Sequence, residues 1–97
     1  MNLPDIFQDI QPRQELLDFT KIMEYKLQQN DDKGGWNGSP YGYLLSGIHR
    51  ETSELSHSLT HGTLFETLCE CSDVANFAMM IADNAIGDAE PNKENEL

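Results

Sequence analysis

The fold depends mainly on the segment Glu51–Asp83, which reads ETSELSHSLTHGTLFETLCECSDVANFAMMIAD. Its second half contains the run VANFAMMIA (74–82), which is apolar on almost every side of a helix. Thr63 and Glu66 form a capping-box pattern ahead of that run. We therefore predict a helix from Thr63 to about Ala85, buried on several sides and ended by Gly87.

Two further helices are predicted upstream of this one. Apolar residues recur at three- and four-residue spacings from about Pro12 to Gln29, which indicates an amphipathic helix. The segment NDDKGGWNGS (30–39) is rich in turn formers and predicts a loop. Ser39 suits an N-cap and Pro40 a first helical turn, so the next helix is expected from there to Thr60–Gly62.

The fold class expected from this order is all-α, with three main helices per chain. The 97 residues suit one domain, which we place at 1–86, followed by a polar, acidic and disordered tail at 87–97. Small domains bury a small fraction of their surface, and three helices can hardly cover an apolar helix all round. We therefore expect a helical homo-oligomer, a homodimer or homotetramer.

Charge and hydropathy exclude several classes of protein. The chain has 6 Lys and Arg against 17 Asp and Glu, a net charge of −11, which disfavours binding to duplex nucleic acid. The longest apolar run, Phe77–Ala82, is too short to cross a membrane, and the N-terminus does not resemble a signal peptide. A cytoplasmic location is expected. Cys69 and Cys71 lack the Cys-x-x-Cys spacing of zinc and redox sites and are interpreted as reduced thiols.

Four carboxylates lie where a helical wheel predicts burial or its margin. At about 100° per residue, Glu51 falls close to Leu44 on the apolar stripe, and Glu54 falls at the polar border. Glu70 and Asp73 share a face of the third predicted helix with its large apolar residues Phe77, Met80 and Ile81. The sequence contains no Lys or Arg between Glu51 and Pro91. An ionised carboxylate buried without a partner must bind a proton or a cation.

A divalent cation is one solution to this problem. Carboxylates at i and i+3 lie on one helix face, so two such helices side by side bring four of them together. All-oxygen ligation of this kind suits Mg²⁺ or Mn²⁺. Judged from the residues alone, four ordinary solvated acids are an equally good interpretation.

The spacing resembles a known signature. Glu51-x-x-Glu54, fifteen residues, then Glu70-x-x-Asp73 resembles the E-x-x-E…E-x-x-D pattern of the MazG-like all-α nucleoside triphosphate pyrophosphatase superfamily. The loop Lys33-Gly-Gly-Trp36 is similar to one in short, single-domain members of bacterial and phage origin. The resemblance covers roughly Asp32–Asn84, and we expect the chain to lack the full fourth helix that many relatives have.

This resemblance implies an activity. The family hydrolyses a (deoxy)nucleoside triphosphate between its α and β phosphates, giving the monophosphate and pyrophosphate, as dimers or tetramers in the cytoplasm. By likeness, Mg²⁺, or Mn²⁺ in its place, would be bound by Glu51, Glu54, Glu70 and Asp73. Glu51 or Glu54 would also be catalytic, by orienting or deprotonating the attacking water. A bacterial cell or a phage-infected host is the implied setting.

Several other residues have two interpretations each. Lys33 and Trp36 suit contacts with a phosphate and a base, but a tryptophan that pins a glycine loop is also plausible. Asn76 suits either a substrate contact or a buried amide. Glu66 is interpreted as a capping residue and Asn84 as a helix-end residue. His57 and His61 have a zinc-like i, i+4 spacing without an evident third ligand and are interpreted as solvated.

Two alternative functions stay open at this point. One is phosphoribosyl-ATP pyrophosphatase, within the same superfamily. The other is a non-catalytic, acidic helical protein that binds a basic partner. The second alternative predicts that Mg²⁺ is not required and that nucleotides are not turned over.

Overall fold

A computed structural model describes residues 2–89, and its regular elements are helices. They are α1 (Asp5–Gln8), α2 (Gln14–Gln29), a 3₁₀ turn (Asp31–Lys33), α3 (Tyr41–His61) and α4 (Leu64–Asp88). The all-α prediction is confirmed for this part of the chain. The remainder of the predicted tail, residues 90–97, lies outside the described residues.

The three long helices agree with the predicted ones except at their ends. Helix α2 begins at Gln14 with Arg13 as its N-cap, so Pro12 precedes the first turn. Helix α3 begins at Tyr41, and Pro40 rather than Ser39 occupies the N-cap position. The capping box of α4 is present, because the backbone N–H of Glu66 donates to Oγ1 of Thr63 at 3.1 Å.

The predicted end of the third helix is wrong by about one turn. Helix α4 continues to Asp88, so Gly87 lies inside it, and residues 87 and 88 belong to the helix rather than to the tail. Among the described glycines, only Gly34 and Gly38 have positive φ angles, so Gly87 does not adopt the left-handed conformation that commonly ends a helix. The hydroxyl of Tyr41 donates to Asp88, which ties the start of α3 to the end of α4.

Helix α4 is the centre of the fold and packs against both α3 and α2. The two-residue connection Gly62–Thr63 makes α3 and α4 an antiparallel hairpin. Their backbones approach closely at Gly47, where an added Cβ would lie 2.7 Å from the ring of Phe77. This close approach brings the acidic faces of α3 and α4 together.

The interior of the single chain is small and unusually polar. Within residues 2–89, Leu44 and Cys69 are the only buried apolar side chains, whereas the buried polar ones are Glu51, Ser58, Ser72, Asn76 and Asn84. Leu64 is 76% exposed and Phe65 60% exposed. One chain therefore leaves much of α4 uncovered. None of the described helices has the length and apolar character that crossing a membrane requires.

Candidate metal centre

Three carboxylates meet where α3 crosses α4. Glu51 of α3 and Glu70 and Asp73 of α4 each offer an oxygen, and these atoms lie within 4.8 Å of one another. Glu51 is only 9% exposed, and the other two side chains are half-buried. Oxygens that ligate one Mg²⁺ lie roughly 3–4 Å apart, so a small contraction of this group would suit one ion.

Glu54 lies beside these three carboxylates, one turn after Glu51 on α3. Its side chain is exposed, and its negative charge helps to raise the pKa values of Glu51, Glu70 and Asp73. The structure thus brings together all four acids singled out in the sequence, with Glu54 on the solvent side. We call Glu51, Glu54, Glu70 and Asp73 the carboxylate cluster.

The carboxylate cluster favours an added positive charge. Burial, together with hydrogen bonds to Glu54 and Glu70 and the negative charges nearby, raises the pKa of Glu51 to about 7. Burial is also the main reason that the pKa values of Glu70 and Asp73 lie above their ordinary range. Negative charges held close together in a partly desolvated place bind a proton or a cation more readily.

Two oxygens of the cluster are buried without a partner. Among the described residues, Oε2 of Glu51 and Oε2 of Glu70 have no hydrogen-bond partner within the protein. Buried polar atoms in folded proteins are nearly always satisfied, so each of these oxygens needs either a proton shared with a neighbouring carboxylate or a bound cation. The donor set consists only of carboxylate oxygens, which is the chemistry that a hard divalent cation such as Mg²⁺ prefers.

The expectation that these acids lack basic neighbours is wrong. Nζ of Lys26, on α2, lies 3.8 Å from Oδ2 of Asp73, and Nε of Arg50 lies 3.4 Å from Oε1 of Glu51. Lys26 is far away in sequence and reaches Asp73 only because α2 packs against α4. Arg50 lies just outside the segment that contains no basic residue. Two of the acids are therefore partly neutralised, but the cluster remains net negative.

A cavity of about 470 Å³ opens beside the carboxylate cluster and is lined by Glu51 and Asp73 among others. Three of the six Lys and Arg residues of the sequence also line it, although the chain has a net charge of −11. Its remaining wall includes apolar side chains from all three long helices. The residues that concern binding are the basic Lys26, Lys33 and Arg50 and the apolar Leu27, Leu44, Trp36, Phe77 and Met80.

The glycine loop forms one wall of this cavity and is anchored to α4. Nε1 of Trp36 donates to Oδ2 of Asp83 at 2.9 Å, and Nδ2 of Asn84 donates to the Trp36 carbonyl at 3.0 Å. The backbone N–H of Gly38 donates to Oδ1 of Asn84 at 3.4 Å. Asn84 is therefore a buried loop anchor and not merely a helix-end residue. The interpretation of Trp36 as a residue that pins the loop is supported, although its side chain still lines the cavity.

Asn76 is a buried amide that also lines the cavity. It is 4% exposed, and its Nδ2 donates to the carbonyl of Met23 on α2 at 3.1 Å. Its Oδ1 is buried, and no described group donates a hydrogen bond to it. Asn76 also lines the cavity, so its contact with a substrate stays a prediction, although the oxygen itself has almost no exposed surface.

The other candidate ligands take no part in the carboxylate cluster. The rings of His57 and His61 stack with centroids 4.7 Å apart, and both side chains are exposed. Cys69 and Cys71 are free thiols. Glu66 accepts from the hydroxyl of Thr63 at 3.2 Å, in keeping with its capping role.

Comparison with known proteins does not assign the chain to a family. No protein-family model matches it, and neither the curated proteins nor the solved structures include a significant match. The resemblance to the MazG-like superfamily therefore rests on the four acids, their spacing and the order of the helices.

Proposed function

We propose that this chain is a Mg²⁺-dependent nucleoside triphosphate pyrophosphohydrolase that releases the monophosphate and pyrophosphate. One observation carries this proposal. Glu51 and Asp73, two members of a group of three adjoining carboxylates, line a cavity that three basic side chains also line. Acids that attract a cation and bases that attract an anion, placed side by side, suit a ligand that consists of phosphates with a bound metal ion.

Each part of the cavity has a role in this proposal. Mg²⁺ bound by the carboxylate cluster would neutralise the triphosphate and lower the pKa of a bound water. Lys33 and the neighbouring bases contact phosphate oxygens. The apolar side chains, together with Trp36, provide a surface for the nucleobase, and Asn76 lines the same cavity. The volume of about 470 Å³ falls in the range of pockets that hold small ligands.

The proposed reaction consumes one water molecule. The water oxygen attacks phosphorus, and the P–O bond between the α and β phosphates breaks. Glu51 or Glu54 accepts the proton of the attacking water, and pyrophosphate leaves.

Self-association is part of the proposal. Leu64, Phe65 and Leu68, at the start of α4, are all exposed and would be covered by a second chain. Sedimentation of the full chain measures this directly. We expect a dimer or tetramer at micromolar concentration, and a monomer would contradict this part of the proposal.

The activity is tested by incubating the protein with Mg²⁺ and each common NTP and dNTP, and then separating the products. We expect a nucleoside monophosphate and pyrophosphate in equal amounts, and no turnover in excess EDTA. Glu24→Gln, an exposed acid on α2 away from the cluster, is the control and should retain full activity. Release of orthophosphate, or no turnover of any nucleotide, would contradict the proposal.

A further inference from the structure

We propose that Lys26 is an exchangeable counter-ion at the carboxylate cluster. In the metal-free protein its ammonium group neutralises Asp73. When a divalent cation takes Asp73 as a ligand, Lys26 is released and binds the phosphates of the ligand instead. The inference rests on the proposed function, because it requires that a metal and a phosphate-bearing ligand bind in this cavity.

The contact between Lys26 and Asp73 has the properties of a replaceable one. Nζ and Oδ2 are 3.8 Å apart, whereas a strong charge-assisted hydrogen bond is about 2.7–2.9 Å long. Both side chains are half-buried, at 20% and 23% exposure. The pair is therefore shielded enough to attract, but it lacks the tight geometry that would make it difficult to separate.

A divalent cation and the Lys26 ammonium compete for the same carboxylate. Both are positive and both approach Asp73, so binding of one weakens binding of the other. A Mg²⁺ or Mn²⁺ ion gains three carboxylate ligands from the group of Glu51, Glu70 and Asp73, whereas Lys26 has only the last of these as its ion-pair partner. The divalent cation therefore binds Asp73 in preference to Lys26, and Lys26 loses this ion-pair partner.

The released ammonium group has a suitable new partner close by. Lys26 lines the same cavity as Lys33 and Arg50, so its charge stays next to the site where the proposed ligand carries its phosphates. The four-carbon stem of lysine is flexible enough to move its charge by several ångströms. Lys26 would thus weaken the binding of the metal ion alone but strengthen the binding of phosphate to the metal-loaded protein.

Removing the charge of Lys26 should therefore raise the affinity for the metal ion and lower the affinity for phosphate. A lysine with a purely structural role would not produce these two opposite changes. We would titrate the nucleotide-free protein with Mn²⁺ alone, and then titrate the Mn²⁺-loaded protein with inorganic pyrophosphate. Compared with wild type, Lys26→Met should bind Mn²⁺ about 3- to 10-fold more tightly and pyrophosphate about 10-fold more weakly. Lys26→Arg, which keeps the charge, should lie close to wild type in both titrations.

Arg13→Met is the matched control. Arg13 precedes the first turn of α2, its side chain is exposed, and it does not line the cavity. The substitution removes one positive charge and should change both affinities less than 2-fold. If Lys26→Met unfolds the protein, Lys26→Gln replaces it, because glutamine keeps a polar end at this half-buried position.

The possible failures are distinguishable. If wild type binds Mn²⁺ and Lys26→Met binds it equally or more weakly, the counter-ion role is rejected while the proposed function stands. Unchanged affinity for pyrophosphate in Lys26→Met also rejects it. If wild type does not bind Mn²⁺ at all, the proposed function and this inference are both overturned.

Discussion

The indole nitrogen of Trp36 donates a hydrogen bond to the carboxylate of Asp83 across 47 residues of sequence, at 2.9 Å. The next residue, Asn84, holds the same loop through the carbonyl of Trp36. Two consecutive residues of α4 thus fix the loop that forms one wall of the cavity. The last turns of α4 therefore influence the shape of the cavity, although they lie well away from the carboxylate cluster.

The first prediction concerns this anchor. Asp83→Ala removes the acceptor and leaves a partly buried N–H without a partner, which should destabilise the protein by about 1 kcal/mol. The loop should become looser, so KM for the nucleotide should rise several-fold while kcat changes less. Because the sequence contains a single tryptophan, its fluorescence reports on this loop directly, and the emission should shift to the red.

Asp83→Asn is the matched variant for this prediction, since its amide oxygen still accepts from Trp36. It should keep an emission spectrum close to that of wild type. If Asp83→Ala also leaves the emission and its quenching by acrylamide unchanged, the loop is not held by this hydrogen bond.

The second prediction is that the carboxylate cluster lowers stability while it supports activity. At pH 8, where Glu51 is ionised, Glu51→Gln removes a buried charge from a group of acids, so the metal-free protein should become more stable, by about 1 kcal/mol, or roughly 4–8 °C in Tm. The same variant should lose turnover by at least about 100-fold, because it removes a ligand and a candidate base. Thermal unfolding in EDTA and turnover with Mg²⁺ measure the two effects.

Glu24→Gln again serves as the control, and neither property should change in it. A Glu51→Gln protein that is less stable than wild type in EDTA would show that the charge at this position is well satisfied without metal. It would then remove the main physical reason for placing a cation there.

The third prediction follows from the direction of the pKa shifts. The pKa of Glu51 is raised from 4.5 to about 7 in the folded chain, so the folded state holds this proton more tightly than the unfolded state does. The resulting stabilisation is fully present below pH 4.5 and is lost as the pH rises through 7. Glu70 and Asp73, whose pKa values are also raised, act in the same direction.

In EDTA, Tm should therefore fall between pH 5 and pH 8, and Glu51→Gln should show a smaller fall. Mg²⁺ should raise Tm more at pH 8 than at pH 5, because the ion takes the place of the protons. An increase in Tm of the metal-free wild type over this pH range would contradict the prediction.

The sequence allowed some of these features to be predicted because their causes are local. Helix periodicity located the three long helices, and the i, i+3 spacing placed Glu70 and Asp73 on one face of α4. The cap at Thr63 depends on residues within one turn. Each of these features needs only the geometry of a single helix.

Features that depend on how the helices pack could not be predicted in the same way. A helical wheel gives the direction in which Asp73 points but not the residue that it meets. Lys26 lies next to Asp73 because α2 packs against α4, and the wheel does not show that packing. Asn84 appeared to be a helix-end residue because its partner, the loop at Trp36, is fixed only in three dimensions. Gly87 lies inside α4, and the residue after it, Asp88, accepts a hydrogen bond from Tyr41 of α3, a contact between helices that helix periodicity cannot show.

The last prediction tests the close approach of α3 and α4, which brings the carboxylates together. Gly47 is buried, and a Cβ there would lie 2.7 Å from the ring of Phe77. Gly47→Ala should gain up to about 1 kcal/mol of helix propensity but lose more through the clash. We expect a net destabilisation of about 1–2 kcal/mol in urea unfolding, together with weaker Mn²⁺ binding, because the two helices must move apart.

Gly42 provides a matched comparison on the same helix, since no described atom lies within 4 Å of a Cβ at that position. Gly42→Ala should therefore show only the gain from propensity, and its stability should rise by up to about 1 kcal/mol. If Gly42→Ala is more stable than wild type and Gly47→Ala is less stable, the spacing between α3 and α4 at Gly47 is fixed by packing against Phe77. If both variants are stabilised, the ring of Phe77 moves aside without loss, and the position of the carboxylate cluster does not depend on this glycine.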